Sequence, residues 1–316
     1  MNRPLDLLVS GYASMDRMLK IQTPAAVGYT SLISNPDNTR IYYGGCSVNI
    51  AYALCRLGLR AMPILRVGRD YEEIGFKAFL EEGGVPTQAV TRLSQDITSV
   101  CYLVQDAQGQ HITLFYPGAM DGKYAQPLSD SFFRQAGMGM ITVGSRRDNE
   151  LFFAKCKEHG LPLAFGMKGD MDAFPADFLR EVLWYCQLVF CNRAERQAME
   201  ALLGVPLAEL LTRGNARALI TTLGEEGSRY QSREEEGTLP IYRDVMVRDT
   251  TGSGDAYISG FLYGYLTGRP LRECAMLGTV EASFALEQAG CCTGLPEREG
   301  LLARYQRYQA QQNGGS

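Results

Sequence analysis

An aspartate at the start of a helix, behind a glycine-rich turn, is placed to take a proton beside a bound anion. The run Asp249-Thr250-Thr251-Gly252-Ser253-Gly254-Asp255-Ala256 has that form. After it, Ile258, Phe261, Leu262, Tyr265 and Leu266 recur at i, i+3, i+4, i+7 and i+8, which predicts a helix with one apolar face. Gly252 and Gly254 let the backbone approach a ligand, and a helix start offers N–H groups and the positive end of its dipole. The N–H groups of Gly252, Ser253, Gly254 and Asp255 would then stabilise a transferring phosphoryl group, with Asp255 accepting the proton of an attacking hydroxyl. On spacing alone, a capped turn with an ordinary first-turn acid is an equal alternative.

A second glycine turn, Gly44-Gly45-Cys46-Ser47-Val48-Asn49, leads into a helix expected over 47–57, with Ser47 as N-cap and Gly58 just past its end. Asn49 brings both a donor and an acceptor to that turn. Asn192 and Glu195 have the spacing of a capping box. The rival nucleotide motifs are missing. Gly118 to Tyr124 has the wrong spacing for a P-loop, and no predicted strand is followed by Gly-x-Gly-x-x-Gly.

The elements that must carry these turns are legible as alternating strands and helices. Short apolar runs at Leu5–Val9, Ala61–Val67, Met138–Val143, Leu161–Met167, Leu188–Cys191 and Ala218–Leu223 read as buried strands. Helical patterns fall near 71–82, 148–159, 175–184 and 193–203, then over 255–267, 271–287 and 297–312. This alternation predicts an α/β fold with a mostly parallel sheet and helices on both faces. Residues 12–43 and 97–120 interrupt the series. Thr98–Gln105 and Gln110–Tyr116 alternate around the turn 106–109, so the two interruptions are expected to form a small inserted β-sheet acting as a lid. Arg233 to Gly237 reads as a hairpin tip, and 313–316 as a disordered tail after a single domain over 1–312.

Composition narrows the chemistry. The net charge of −4 argues against nucleic acid as a partner, because phosphate backbones need a basic surface. Two histidines, His111 and His159, do not furnish a His-rich metal site or a Ser-His-Asp hydrolase. Nine scattered cysteines without a C-x-x-C pair read as reduced thiols of a cytoplasmic protein. An acid precedes any apolar run at the N-terminus, and no stretch reaches 18 apolar residues, so neither a signal peptide nor a membrane span is expected.

Taken in order, the motifs resemble the ribokinase-like (PfkB) family of small-molecule kinases over almost the whole chain. Gly44-Gly45 with Asn49, and Asp249 to Asp255, resemble its two signatures. Gly11 to Asp16 is similar to its first substrate contact, Asn192 to Glu195 to its N-x-x-E motif, and Thr222-Leu223-Gly224-Glu225-Glu226-Gly227 to its nucleotide loop. Within the family, Thr113 to Met120 and the stretch Leu277 to Gly290 resemble bacterial adenosine kinases.

The resemblance implies a ribokinase-like three-layer α/β/α fold and an ATP- and Mg²⁺-dependent kinase. It would phosphorylate a hydroxymethyl group on a ribose-like ring, adenosine or a related nucleoside. It implies Asp255 as general base, Asp16 as clamp on the ring hydroxyls, and Gly45 and Asn49 as further acceptor contacts. Asn192, Thr222, Gly224 and Gly227 would line the nucleotide. Glu195 would organise Mg²⁺ through water, and Asp249 would sit beside a monovalent cation such as K⁺ or merely brace its turn. Tyr102, where such adenosine kinases carry Phe, and Phe115 are expected on one face of the hairpin, stacking on a base or sealing the lid. Unpaired lid edges make a homodimer through that sheet expected.

Beside Tyr102, two further departures keep alternatives open. The turn Gly166-Met167-Lys168-Gly169-Asp170 differs from the family's usual one, and Arg146 and Arg147 stand at a strand's carboxyl end, where open α/β sheets hold ligands. A sugar or sugar-acid kinase of the ribose, fructose or 2-keto-3-deoxygluconate type therefore remains. So does a non-catalytic nucleotide-binding relative, although Asp255 counts against it, and an interaction protein that uses the small sheet only to dimerise.

Overall fold

A computed structural model describes residues 3–37, 39–108, 111–167 and 173–313. The chain opens with β1 (Leu5–Ser10), β2 (Ser14–Lys20), β3 (Tyr42–Gly44), α1 (Cys46–Arg56), β4 (Ala61–Val67), α2 (Phe76–Glu82) and β5 (Val90–Arg92). The hairpin β6 (Val100–Gln105) and β7 (His111–Tyr116) follows, then α3 (Asp130–Gln135), β8 (Ala136–Ile141), α4 (Arg146–Glu158) and β9 (Leu163–Gly166). Next come α5 (Ala176–Tyr185), β10 (Leu188–Asn192), α6 (Arg193–Leu203), α7 (Glu209–Thr212) and the strands β11 (Ala218–Thr222), β12 (Ser228–Gln231) and β13 (Glu236–Leu239). Three helices close the chain: α8 (Ser253–Leu266), α9 (Leu271–Ala285) and α10 (Arg298–Asn313).

Nine strands form one sheet in the order β13-β12-β11-β10-β9-β8-β1-β4-β5. It is parallel from β11 to β5, and β12 and β13 add antiparallel at one edge. The parallel strands are buried on both faces, which is why they read as near-continuous apolar runs. In β1, Leu7 and Val9 face one core with residues of α1, α2, α8, α9 and α10, whereas Leu5 and Leu8 face a second core with α3 to α7. The molecule thus has the expected three-layer α/β/α build.

The second sheet has four strands, in the order β3-β2-β6-β7. It pairs β2 with β6 in parallel and is otherwise antiparallel. Strand β2 lies in the segment 12–43, which sequence patterning assigns to the small sheet without marking a strand there. Two helix starts also differ. The helix expected over 71–82 begins at Phe76, because Gly75 takes φ +82° and breaks the preceding turn. Helix α1 begins at Cys46 with Gly45 as N-cap and no side-chain cap, since the Ser47 hydroxyl donates instead to the carbonyls of Gly11 and Tyr12 at 3.0 Å each. Gly109 of the hairpin turn, Lys168 to Asp170 of the unusual turn, and 314–316 of the tail lie outside the described residues. No helix among the described residues is long and apolar enough to cross a membrane.

Candidate active site

The carboxyl ends of the parallel strands and the start of α8 converge, the place where open α/β sheets bind ligands. Gly252 is the N-cap of α8 at φ +78°, and a Cβ there would lie 2.7 Å from Cys291 Cβ. Only glycine meets both conditions. The helical ladder begins with Ala256 N–H donating to Gly252 O at 2.9 Å, so the first-turn N–H groups precede it. Ser253 N–H is turned back to Thr250 O at 3.3 Å, which removes one of the four expected anion donors. The N–H groups of Gly252 and Gly254 make no such bond to the backbone among the described residues.

Asp255, in that first turn, is buried, and its Oδ2 accepts from Asn49 Nδ2 at 2.9 Å. Asn49 comes from the first turn of α1. That helix can start beside the site because Gly45, at φ +92°, passes so near the Tyr12–Ala13 backbone that a Cβ would lie 2.3 Å from Tyr12 O. Asp16 projects from β2 to the same place: a Cβ on Gly44 would stand 3.4 Å from Asp16 Oδ2 and 3.0 Å from Asn49 Oδ1. Ser14 donates its hydroxyl to Asp16 Oδ1. Burial pushes the Asp16 carboxyl up to about 6, the Ser14 bond works against that rise, and the Asp255 and Asp249 carboxylates add to it. Asp16, Asn49 and Asp255, from three distant stretches of chain, therefore form one buried polar cluster.

The small sheet covers this cluster, and its register corrects one expectation. Cys101 pairs with Phe115 and with Asp16, whereas Tyr102 pairs with Leu114. Cross-strand partners share a face, so Phe115 and Cys101 stand on the face of Asp16 and Tyr102 stands on the other. The cause is the hairpin register: Gln105 pairs with His111, one residue further along than a turn of 106–109 alone would set, and a one-residue slip exchanges the faces. Tyr102 is thus not brought to the site. Phe115 is, with its ring 4.8 Å from that of Tyr12.

On the other side of α8, a narrow cleft of about 80 Å³ is lined by Asn192, Glu195, Thr222, Gly254 and Tyr257 among others. It joins the N-x-x-E turn to the start of α8. The capping box is formed: Glu195 N–H donates to Asn192 Oδ1 at 2.9 Å, and Asn192 N–H to Glu195 Oε2 at 2.8 Å. Gly224 and Gly227 bound the turn between β11 and β12, and Arg193 reaches across to Glu226 at 2.8 Å. Asp249 accepts from Thr251 N–H and hydroxyl on Oδ1, and from Gly290 N–H on Oδ2. That donor set fits a turn brace rather than a monovalent cation. Arg146 and Arg147 are exposed at the start of α4, with Arg146 bonded to Glu150 at 2.7 Å. The larger cavity of about 650 Å³, lined by Tyr185, Gln187 and Arg217 among others, lies at the amino ends of β9, β10 and β11, the opposite end of these strands, and receives none of the motif residues.

Sequence reasoning misses Ser14, Cys101 and Cys292 at this site. A serine two residues before Asp16 is a usable signal for the first. The second needs the hairpin register, and the third is 243 residues from the side chain that it touches.

A buried carboxylate in the first turn of a glycine-rich helix start, beside a second buried acid and an amide at the carboxyl ends of a parallel sheet, is the arrangement of a phosphotransferase on a ribokinase fold. Known proteins of similar sequence and structure agree. A nucleoside kinase of Methanocaldococcus jannaschii is 28% identical over 275 residues, which is 86% of this chain and 88% of that protein. Its crystal structure superposes with a TM-score of 0.87 over 97% of this chain and all of that one, at 24% identity. Burkholderia thailandensis nucleoside kinase in complex with inosine gives 0.82 at 24% identity, covering 95% and 96% of the two chains. Arabidopsis thaliana ribokinase with ribose and ATP gives 0.80 at 20% identity, covering 96% and 99%. The pattern of the pfkB family carbohydrate kinases matches residues 6–298, and the chain belongs to that family.

Proposed function

We propose that this chain transfers the γ-phosphoryl group of ATP to the hydroxymethyl group of a nucleoside, adenosine or a close relative. The observation that carries the reading is the meeting of Asp16, Asn49 and Asp255 at the start of α8, beneath the Phe115 face of the small sheet. Asp16 accepts two ribose hydroxyls and holds the ring. As the hydroxymethyl oxygen bonds to the γ-phosphorus, its proton passes to the Asp255 carboxylate. The bond from phosphorus to the β,γ-bridging oxygen breaks, and ADP leaves. Gly252 and Gly254 N–H groups stabilise charge on the group in flight. The nucleotide lies along Asn192, Thr222, Gly224 and Gly227. Mg²⁺, when bound, neutralises phosphate charge. Glu195 suits a water-mediated contact to it, because the capping box uses Oε2 and leaves Oε1 for solvent.

A coupled ADP-release assay with adenosine, inosine, ribose and 2-keto-3-deoxygluconate tests this. Turnover with a nucleoside supports it. Turnover with ribose or the sugar acid, and none with a nucleoside, overturns it in favour of a sugar kinase.

Asp16 makes acceptor binding pH-dependent. Only its ionised form accepts two hydroxyls, and burial places that ionisation near 6. The kcat/KM for the acceptor should therefore fall about tenfold for each pH unit below 6. The stability effect has a definite sign. The folded chain holds the proton more tightly than the unfolded one, whose value is 3.8, so stability declines as pH rises from about 4 to 6 and is then level. Asp16→Asn should raise the acceptor KM and remove both dependences. Acceptor kinetics from pH 5 to 7 and urea melts from pH 4 to 7 check this, and a flat wild-type acceptor profile would refute the clamp.

We also propose a homodimer through the outer face of the small sheet. Ile112 and Leu114 there are 48% and 56% exposed beside Tyr102, an apolar strip on an edge strand. Sedimentation velocity should show a dimer for the wild type and a monomer for Leu114→Lys. A monomeric wild type at assay concentrations removes the idea.

A further inference from the structure

Asn49 is held from both ends. Its Nδ2 donates to Asp255 Oδ2 at 2.9 Å, and its Oδ1 accepts from Cys292 Sγ at 3.3 Å. All three residues are buried. An ionised carboxylate only accepts hydrogen bonds, so Asp255 requires the amide nitrogen on its side. The amide oxygen then points away and needs a donor. Among the described residues, the hydrogen bond the structure gives it is from the Cys292 thiol. Burial first, and then the nearby Asp255 and Asp16 carboxylates, push that thiol well above its usual range, so it remains S–H and remains a donor. Cys291, its neighbour in sequence, acts differently, through a Cβ that fills the space against Gly252.

We propose that Cys292 is a positioning residue for phosphoryl transfer, its thiol fixing the Asn49 carboxamide so that the amide nitrogen holds the Asp255 carboxylate. The inference rests on the kinase reading above. If Asn49 flipped, its Oδ1 would face Asp255 Oδ2, acceptor against acceptor. The carboxylate would then leave its rotamer or take up a proton, and either change disables a general base. The thiol adds to the carboxylate's own preference against this flip, because a flipped amide nitrogen would face the S–H, donor against donor.

A purely space-filling cysteine predicts a different order of variants from a donating one. Valine keeps the bulk and loses the donor, whereas serine keeps the donor and loses bulk. Cys292→Val should lower kcat about 5- to 10-fold, the worth of one neutral hydrogen bond, with the KM for ATP unchanged. Cys292→Ser should stay within about twofold of the wild type, allowing for its shorter reach. In an Asn49→Ala background, Cys292→Val should cost nothing further in kcat. Rates are compared per folded molecule, with the folded fraction taken from thermal melts. A valine variant as active as the serine one overturns the proposal, as does an equal valine cost with and without Asn49. A wild type that is silent on every acceptor removes the kinase reading and this inference with it, whereas an active wild type with the wrong order removes only the inference.

Discussion

Asp255→Asn should lower kcat by roughly 10²–10⁴-fold while the chain still folds and still binds ATP. Phosphoryl transfer asks little covalent work of the protein, so the loss is confined to accepting the hydroxyl proton and to the alignment that goes with it. No histidine stands among the residues of the site to take over. The substituted amide keeps the volume and can still accept from Asn49, whose Nδ2 now reaches the carboxylate at 2.9 Å. One further consequence separates loss of the base from general damage. The Asp255 carboxylate is among the causes that raise the Asp16 carboxyl, so its removal should move the acceptor-binding limb below pH 6. Stopped-flow or coupled kinetics give kcat, calorimetry gives ATP affinity, and acceptor binding against pH gives the limb. A variant with near wild-type kcat on the true acceptor would show that Asp255 is not the base.

What can be read in advance follows the range over which each feature is decided. Strands such as Ala61–Val67, and the helix over 193–203, have the bounds expected from sequence because burial on both faces, or a capping box, marks them locally. The glycine turns before α1 and α8 are legible because positive φ at Gly45 and Gly252 leaves few other residues possible. Strand β2 is not legible. Ser14 to Lys20 carries Asp16, Arg17 and Lys20 without clean alternation, and it is a strand because β6 pairs with it from more than 80 residues away. The hairpin is legible but its faces are exchanged, since one residue of loop length decides which side chains share the face of Asp16. The Cys292 to Asn49 contact depends on the packing of two distant segments, and local pattern carries no trace of it.

The same register gives Phe115 its expected effect. Phe115 stands on the Asp16 face, with the Tyr12 ring at 4.8 Å and Cys101 as its cross-strand partner. Under the kinase reading, a flat base lying there would stack on Phe115 and not on Tyr102, which stands on the other face. Stacking of a base on an aromatic side chain is worth about 1–3 kcal/mol. Phe115→Ala should therefore raise the KM for adenosine by roughly 5- to 150-fold, at about 1.4 kcal/mol per tenfold. Tyr102→Ala should leave that KM within about twofold, since its ring is outside the site. Ribose, which has no base, should respond little to Phe115→Ala. Side-by-side KM values for adenosine and ribose on the two variants decide the matter. Equal losses for both acceptors would mean that Phe115 only seals the lid, and a larger effect from Tyr102 than from Phe115 would mean that the base lies on the other face of the sheet.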